Sequence, residues 1–272
     1  MGTAIPEERR LVIMEHVRSR SLVKPAELAD ELGVSIETIR RDLVALEEDG
    51  LVRRVYGGAT RSTPRAFEPA FEKRRMHHRD RKQAMAQLAA GLIGPGDTLI
   101  LDIGSTVAEL AAGMPHAYHG IVLTNSLLVA NTLAGRDGVE VITSGGRVRS
   151  GDLACFGPSS EAFFRDYFVD KAFVGAGGVH AEMGLTDYYP DEIASRRVIL
   201  EHAAERYVLA DSSKLGQVAM GKVCDVAALS AVITDDRADA DEVRRLEEAG
   251  LVVMVATVDN DTTAAAHAKG GQ

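Results

Sequence analysis

The hydrophobic positions between residues 25 and 48 recur at the spacing of two amphipathic helices separated by a tight turn. Leu28, Ala29 and Leu32 predict one apolar face on the first of these helices. Gly33 stands where the chain must turn, because glycine enters positive φ without steric cost. The second helix is predicted to bury four apolar side chains: Ile36, Ile39, Leu43 and Leu46. Two helices joined in this way are typical of a helix-turn-helix.

The opposite face of the second helix carries side chains suited to reading DNA. Ser35 is the predicted N-cap, because its hydroxyl can accept a hydrogen bond from a free N–H of the first turn. The residues predicted to face outward are Glu37, Thr38, Arg40, Arg41 and Asp42. Arg40 or Arg41 would reach a base edge or a phosphate. The alternative is a helical hairpin in an interaction domain, whose arginines are only solvated.

A short β-hairpin is predicted directly after the second helix. Residues 51–55 have strand character around Arg53 and Arg54, and the glycines at 57–58 are a typical hairpin turn. A basic hairpin in this place predicts a winged helix-turn-helix. Arg53 and Arg54, with Arg61 as a weaker candidate, would then reach phosphates or a minor groove beside the reading helix.

Further helices are predicted on both sides of this unit. Residues 6–20 form a first helix that packs on the helix pair. Its predicted apolar stripe is Leu11, Met14 and Val17. Residues 59–70 contain proline, threonine and serine and are predicted to be a linker. Residues 72–82 are rich in basic side chains. These side chains either contact DNA beside the recognised sequence or, as we favour, are only the solvated surface of a connecting helix.

From residue 94 the pattern changes to apolar strands that alternate with helical stretches. The strands are nearly continuous in valine, isoleucine and leucine, as in a parallel sheet that is covered on both faces. Seven strands are predicted, at residues 98–102, 121–124, 139–143, 172–175, 207–211, 231–234 and 251–255. The fold class is therefore α/β, with a mainly parallel, doubly wound sheet behind an N-terminal winged helix-turn-helix.

Four segments follow from these patterns. Residues 1–60 are the winged helix-turn-helix domain, and residues 61–82 hold the linker and the start of the connecting helix. Residues 83–256 form the α/β domain. The small and polar residues of 257–272 are predicted to be a disordered tail.

Composition narrows the classes of protein further. The 272 residues are enough for two domains, and 46% of them are apolar. No apolar run approaches the roughly 18 residues of a membrane span, and the charged residues at 7–10 are not typical of a signal peptide. We therefore expect a cytoplasmic protein without a membrane partner. Cys155 and Cys224 are expected to be buried, reduced thiols.

Charge is divided unevenly along the chain, whose formal net charge is −9. Residues 1–82 hold 17 of the 31 lysines and arginines but only 14 of the 40 acidic residues. Phosphate binding is local, because salt screens charges beyond roughly 8–10 Å. The acidic remainder of the chain therefore does not exclude DNA binding by the N-terminal part.

Polar or glycine-rich loops follow five of the predicted strands. The loops are residues 102–106, 124–126, 144–149, 175–178 and 211–214. In open α/β sheets ligands bind outside the carboxyl ends of the strands. Gly104, Ser105 and Thr106 precede a helix and would aim free N–H groups and two hydroxyls at an anion. With an arginine and a lysine among the loops, the pattern indicates a phosphorylated, polyhydroxylated small molecule.

Two other kinds of site fit the spacing poorly. No G-x-G-x-x-G opens the first strand–helix unit, residues 175–178 have the wrong spacing, and no Walker lysine follows a glycine-rich loop. We therefore expect no cofactor. No metal site is expected either, because His77 and His78 lack a cysteine or histidine partner at ligand spacing.

The chain resembles the DeoR-type transcriptional regulators of sugar metabolism over about residues 5–256. In the N-terminal part the matching motifs are V-S-I-E-T-I-R-R-D-L (34–43) and G-L-V-R-R-V-Y-G-G-A (50–59). Beyond it they are L-D-I-G-S-T (101–106), T-N-S (124–126), G-G-R-V-R (145–149), F-G-P (156–158), D-K-A-F-V-G-A-G-G (170–178) and A-D-S-S-K (210–214). Ser105 departs from the threonine of many members but keeps the hydroxyl.

The resemblance implies a sensor domain similar to ribose-phosphate isomerases, which binds a phosphorylated sugar and usually releases a repressor from its operator. Gly104, Ser105 and Thr106 would hold phosphate, Thr124 and Asn125 sugar hydroxyls, and Lys214 an anionic or carbonyl oxygen. The other implied effector residues are Asp102, Ser126, Gly146, Arg149, Asp152, Gly175, Gly178 and Glu192. Two alternatives stay open, since Asp102 could be only a helix cap and Arg149 only a member of a surface ion pair.

Two classes of function fit these patterns, a transcriptional repressor and an enzyme. The first is a repressor that binds operator DNA as a homo-oligomer, dimer or tetramer, because one reading helix contacts too few bases. The second is a sugar-phosphate isomerase or deaminase-like enzyme with an added DNA-binding domain, in which Asp187 or Glu192 would be the base and Lys214 the cation. The winged unit argues against turnover, because a sensor benefits from holding its ligand unchanged.

Overall fold

The computed structural model describes residues 6–19, 22–48, 51–55, 57–61 and 68–258. The chain divides into two compact units, Met1–Pro69 and Ala70–Gln272. Half of the predicted linker, at 62–67, and most of the predicted tail, at 259–272, lie outside the described residues. The boundaries of the four segments drawn from the sequence stay predictions.

Helices and strands alternate through most of the described chain. The helices are α1 (Pro6–Ser19), α2 (Pro25–Leu32), α3 (Ile36–Glu48), α4 (Phe71–Met76), α5 (Arg79–Ala90), α6 (Ser105–Ala112), α7 (Leu127–Leu133), α8 (Pro158–Arg165), α9 (Pro190–Glu201) and α10 (Ala240–Glu248). The strands are β1 (Val52–Val55), β2 (Gly58–Arg61), β3 (Leu99–Leu101), β4 (Gly120–Thr124), β5 (Val139–Thr143), β6 (Arg147–Val148), β7 (Cys155–Phe156), β8 (Val169–Val174), β9 (Gly178–His180), β10 (Gly184–Asp187), β11 (Ala203–Leu209), β12 (Gly221–Cys224), β13 (Ala231–Asp235) and β14 (Val252–Ala256).

The N-terminal unit contains the predicted helix-turn-helix. Gly33 ends α2 in the left-handed region at φ 65°, and Ser35 caps α3 by accepting the Thr38 N–H at 3.1 Å. The strands β1 and β2 pair antiparallel as the predicted hairpin, and Val23 adds an isolated bridge to Ala59. A winged helix-turn-helix is therefore present, with its own apolar core.

The buried stripe of α3 differs from the predicted one at two positions. Ile36 is 44% exposed, whereas Asp42, predicted to face outward, is buried. The stripe runs through Ile39, Asp42 and Leu46, at the i, i+3, i+7 spacing of one helix face. Asp42 is tolerated inside because its Oδ2 lies 2.5 Å from Nε of Arg9 in α1.

The apolar stripe of α1 was also assigned to the wrong face in part. Leu11 is 69% exposed, while Ile13 and Val17 are buried. Together with Arg9 these two residues follow a four-residue spacing, which places the guanidinium against Asp42 of α3. A buried ion pair between the two helices therefore sets which face of α1 points inward.

We expect Asp42→Asn to lower the free energy of unfolding of the N-terminal unit by roughly 3 kcal/mol. The substitution removes the negative charge that faces both Arg9 and Arg10. Urea unfolding followed by circular dichroism measures the effect, with Asp30→Asn on the exposed face of α2 as the matched control. Equal unfolding midpoints for the two variants would contradict a stabilising role of the pair.

The C-terminal unit is built on a seven-stranded parallel sheet with the order β14-β13-β11-β8-β3-β4-β5. These are the seven strands that the hydrophobic runs predict. Two apolar clusters pack on the sheet, one of them containing the helices α5 and α6 and the other α9. The carboxyl ends of the parallel strands lie at one edge, where the polar loops meet.

Two small antiparallel sheets were not predicted. One has the order β12-β10-β9 and the other consists of β6 and β7. Their strands have only two to four residues, which is too short for a hydrophobic period to mark them. In the sequence, both sheets are inserted between strands of the parallel sheet.

The predicted basic connecting helix is broken into α4 and α5. His78 lies between them in the left-handed region at φ 51°. Lys82, predicted to be solvated, is buried and donates to the carbonyl oxygens of Arg74 and, at 2.7 Å, His77. Because the last carbonyls of a helix have no partner within it, a buried ammonium can satisfy them. The structure therefore corrects the interpretation of this segment as a solvated helix.

We expect the C-terminal unit to lose stability as the pH falls from about 6.5 to about 4. Burial, followed by the positive charges of His77, Arg81 and Lys82, lowers the pKa of His78 from 6.5 to about 4, although Asp211 opposes the shift. In this window the unfolded chain binds a proton that the folded chain does not, so protons favour unfolding.

His78→Asn tests the expected pH dependence, because asparagine tolerates the left-handed conformation. The melting temperature of the variant should fall less steeply than that of the parent protein over this pH range. His116→Asn, at an exposed position of the same unit, is the control. Parallel pH profiles for the parent protein and His78→Asn would refute the assignment.

Candidate functional site

The exposed face of α3 presents the predicted DNA-reading residues. The side chains of Arg40 and Arg41 are 64% and 82% exposed. Each approaches Glu37, at 3.7 Å for Arg40 and 4.0 Å for Arg41. Exposed ion pairs of this kind contribute little to stability, so the guanidiniums can leave Glu37 for a phosphate or a base at small cost.

The flanking residues of this surface have different environments. Ser35 and Thr38 join their hydroxyls at 2.8 Å at the start of α3, which orients the helix. Arg54 in the wing holds Glu47 through Nε–Oε2 at 2.6 Å. Burial raises the pKa of Glu47, but the hydrogen bonds from Arg54 outweigh burial and hold that pKa below its ordinary value. The side chain of Arg53 lies outside the described part of the molecule.

The second candidate site lies at the carboxyl edge of the parallel sheet, where α6 begins. Gly104 precedes the helix at φ 141°, a conformation that side chains rarely adopt. Ser105 and Thr106 are mostly buried, and none of the described residues makes a hydrogen bond to either hydroxyl. The first-turn N–H groups of α6 have no partner within the helix. This turn can therefore donate several hydrogen bonds to an anion.

The neighbouring strand β4 ends in three polar residues with different roles. Thr124 donates from Oγ1 to the Leu101 carbonyl at 2.6 Å, and Ser126 caps α7 through the Val129 N–H. Asn125 between them is only 2% exposed, and its Oδ1 has no hydrogen-bond partner among the described residues. A buried acceptor without a partner is costly, so the Asn125 oxygen is suited to accept a hydrogen bond from a bound molecule.

Arg149 is held by two carboxylates rather than by a surface pair. Its Nε lies 3.0 Å from Asp152 Oδ1, and its Nη1 lies 2.5 Å from Glu192 Oε1. The guanidinium also covers the Tyr189 ring at 4.6 Å. Both carboxylates are buried, so the structure excludes the interpretation of Arg149 as one half of an exposed ion pair.

Arg196 in α9 is a central residue of the site that the sequence interpretation missed. Its buried guanidinium pairs with Asp102 through Nε–Oδ2 at 2.6 Å, with Asp187, and with Glu192 at 3.5 Å. The helix cap proposed as an alternative for Asp102 is therefore wrong, since Gly104 occupies the N-cap of α6. The spacing of Glu192 and Arg196, four residues apart on one helix, was the signal available in the sequence.

A cavity of about 140 Å³ lies between these groups. Three predicted effector residues line it, namely Asn125, Arg149 and Glu192. Other lining residues include Ile103, Phe156 and Tyr189. The cavity thus combines apolar walls with a buried amide and an ion-paired arginine, as small-molecule sites commonly do.

The remaining predicted effector residues do not line this cavity. A Cβ at Gly146, Gly175 or Gly178 would crowd the carbonyl oxygens of Phe156, Ile103 and Gln217 respectively, so these positions have little room for a side chain. Lys214 ends a 3₁₀ turn, Ser212–Lys214, and its Nζ lies 5.5 Å from the Tyr188 ring centre. Burial raises the pKa of the neighbouring Asp211, but the charge of Lys214 contributes to a net lowering of that pKa.

The described ranges contain neither a membrane-spanning helix nor a cluster of metal ligands. No helix there combines the length and apolar character needed to cross a lipid bilayer. Nor do histidine, cysteine, aspartate and glutamate side chains of those ranges form a group of three or more that could hold a metal ion.

Both units match family models. The DeoR-like helix-turn-helix domain matches residues 9–65, and the DeoR C terminal sensor domain matches residues 77–236. Ribose 5-phosphate isomerase A from Methanocaldococcus jannaschii is a structural neighbour at 20% identity and a TM-score of 0.37, over 49% of this chain and 52% of that one. A structural similarity this weak indicates nothing about the function of this chain.

Two relatives from Escherichia coli strain K12 extend over most of the chain. The HTH-type transcriptional repressor CsqR is 30% identical over 257 residues, which cover 94% of this chain and 97% of the relative. The glycerol-3-phosphate regulon repressor is 31% identical over 228 residues, which cover 84% and 90%. The chain therefore belongs to the DeoR family of transcriptional regulators.

Proposed function

We propose that this regulator is a repressor of a sugar catabolic operon and that a phosphorylated sugar, bound at the carboxyl edge of the parallel sheet, controls it. The observation that carries the proposal is the buried acceptor of Asn125 in a cavity near the start of α6. The first turn of that helix suits a phosphate, and the cavity suits the rest of a small polar molecule.

The phosphate is assigned to Gly104, Ser105 and Thr106. Free N–H groups and two hydroxyls converge there, and the positive end of the α6 dipole favours an anion. Lys214 is the assigned cation for an anionic or carbonyl oxygen of the effector, as the family resemblance implies. The name of one relative, the glycerol-3-phosphate regulon repressor, also contains a phosphorylated polyol.

The sugar end is assigned to the cavity with Asn125. Thr124 and Ser126 anchor the chain on either side of Asn125, because the Thr124 hydroxyl donates to the Leu101 carbonyl and the Ser126 hydroxyl accepts the Val129 N–H. Arg149 is held in place by Asp152 and Glu192 on the other side of the site. Thr124, Asn125 and Ser126 thus contact the ligand. Arg149, held by Asp152 and Glu192, fixes the shape of the cavity wall.

The DNA contacts are assigned to α3 and the wing. Arg40 and Arg41 would reach base edges, and Arg53 and Arg54 flanking phosphates, in the manner of winged helix-turn-helix proteins. Since one reading helix contacts few bases, we propose that the protein binds DNA as a dimer or a tetramer. A cytoplasmic location follows from the place of its DNA target.

The enzyme alternative is not favoured. An aldose–ketose isomerase needs a carboxylate free to move a proton, yet Asp187 and Glu192 are both ion-paired with the buried Arg196. The named relatives are transcriptional repressors. An isomerase assay with pentose and hexose phosphates would reveal turnover if this assignment were wrong.

In vitro selection from a random duplex library tests the proposed function. The full chain should enrich a repeated half-site, and a phosphorylated sugar from a panel should change the affinity for that duplex. A coupling of about 1–3 kcal/mol between the two sites would correspond to roughly 5–150-fold in affinity. Enrichment of no sequence, or insensitivity to every phosphorylated sugar, would refute the proposal.

A further inference from the structure

The helix assigned to reading DNA begins with an exposed isoleucine. Ile36 is the first residue of α3 and is 44% exposed. The apolar core of the N-terminal unit, as far as the structure describes it, is built without Ile36. A single apolar side chain on a protein surface needs no special explanation. The significance of Ile36 therefore depends on the surface on which it lies.

Ile36 shares its surface with the two arginines that are assigned to DNA. Among the described side chains of α3 the exposed ones are Ile36, Glu37, Arg40 and Arg41, all in the first two turns. Ile36 and Arg40 are one turn apart, and side chains at that spacing are neighbours. The N-terminal residues of a recognition helix are the ones that contact base edges in the major groove. A pose that brings Arg40 to a base edge therefore brings Ile36 into the groove as well.

The polar side chains around Ile36 already have partners. The hydroxyls of Ser35 and Thr38 are hydrogen-bonded to each other, and the Ser35 hydroxyl also accepts the Thr38 N–H. Glu37 faces both arginines. Ile36 is β-branched, so its χ1 angle in a helix is restricted before DNA binds. It therefore presents a stiff apolar surface to the groove.

The major groove offers one kind of apolar group to such a side chain. The C5-methyl group of thymine is apolar, whereas the other readable positions of the four bases are hydrogen-bond donors and acceptors. An isoleucine against a donor or an acceptor displaces water and returns no hydrogen bond, which is unfavourable. Against a thymine methyl group it buries apolar surface on both partners. Ile36 is therefore suited to contact thymine and no other base.

We propose that Ile36 is a specificity-determining residue that reads the methyl group of a thymine in the operator half-site. Cβ atoms one helical turn apart are separated by about 5–6 Å and base pairs by about 3.4 Å, so this thymine lies within about two base pairs of the base that Arg40 contacts. The inference rests on the proposed function, which assigns α3 to base edges, and adds one base of the recognised sequence.

Atomic changes to the selected duplex test the inference on the full-length protein. Each thymine of the half-site is replaced in turn by deoxyuridine, which lacks only the methyl group. Fluorescence anisotropy should find at least one position at which the affinity falls about fourfold for each half-site changed, the effect of one buried methyl-sized group. 5-Bromodeoxyuridine at that position carries an apolar substituent of similar size and should restore most of the affinity.

Ile36→Ala then tests the origin of the methyl preference. The variant should bind the thymine and deoxyuridine duplexes with equal affinity, whereas a merely structural role of Ile36 would weaken both duplexes by the same factor and leave the preference intact. Ile36→Val keeps the branched carbon and should keep most of the preference. Leu11→Ala removes an exposed apolar side chain from α1 of the same unit. As the matched control it should change neither the affinity nor the preference.

The possible outcomes separate this inference from the proposed function. If deoxyuridine is tolerated at every thymine, if the selected half-site contains no thymine, or if Ile36→Ala keeps the methyl preference, the inference is wrong and DNA binding by α3 is unaffected. If replacement of Arg40 and Arg41 by alanine leaves the affinity for the selected duplex unchanged, the assignment of α3 is wrong as well. If no duplex is enriched, the proposed function fails and the inference fails with it.

Discussion

Arg196→Met is expected to destabilise the C-terminal unit by roughly 3–5 kcal/mol at neutral pH, a large part of the stability of a typical domain. The variant leaves Asp102 and Asp187 buried without the guanidinium that pairs with both. A buried charge that loses its partner keeps the full cost of its desolvation. Thermal unfolding followed by circular dichroism measures the loss.

The pH dependence of that loss identifies its cause. In the variant the buried carboxylates bind protons more readily when folded than when unfolded, so acid stabilises the fold relative to neutral pH. The gap in melting temperature between parent and variant should therefore narrow as the pH falls. Arg197→Met removes an exposed neighbour on the same helix and should cost about 1 kcal/mol or less. A gap that is independent of pH would point to lost packing instead of lost charge pairing.

Replacement of both Arg40 and Arg41 by alanine is expected to lower operator affinity by roughly 100-fold or more. Each good contact from an arginine to a guanine edge contributes about 1–3 kcal/mol. Folding should be unaffected, because both side chains are exposed and their ion pairs with Glu37 are long. Fluorescence anisotropy with the selected duplex measures the affinity at several salt concentrations.

The single variant Arg41→Ala should weaken DNA binding and leave effector binding intact. Arg244→Ala, at an exposed position on α10, serves as the control for the loss of one positive charge. It should leave both activities unchanged. Loss of effector binding together with DNA binding in Arg41→Ala would contradict the assignment of the two activities to separate surfaces.

Local rules predict much of this fold. A helical hydrophobic period, Gly33 and Ser35 suffice for the helix-turn-helix, because the turn and the cap involve only neighbouring residues. Continuous apolar runs likewise predict all seven strands of the parallel sheet. The carboxyl-edge rule then places Asn125 and the start of α6 at one end of that sheet.

The features that were missed depend on contacts between distant segments. Asp42 was assigned to the outer face because a charge is normally solvated, but Arg9 from another helix pairs with it inside. For Arg196 the four-residue spacing to Glu192 is a local signal, but the partner Asp102, which places the guanidinium inside, is far away along the chain. The hydrophobic period and the secondary-structure propensity of a segment carry no information about ion pairs with a distant segment.

Thermal unfolding in the presence of phosphorylated sugars and their unphosphorylated parents tests the central claim most directly. A ligand at a hundred times its Kd adds about 2.7 kcal/mol to the free energy of unfolding, which gives a clear rise in melting temperature. We expect only phosphorylated compounds to raise it, and Ser105→Ala with Thr106→Val to abolish the rise. An equal rise with the free sugars, or no rise with any compound, would contradict a sensor of phosphorylated sugars.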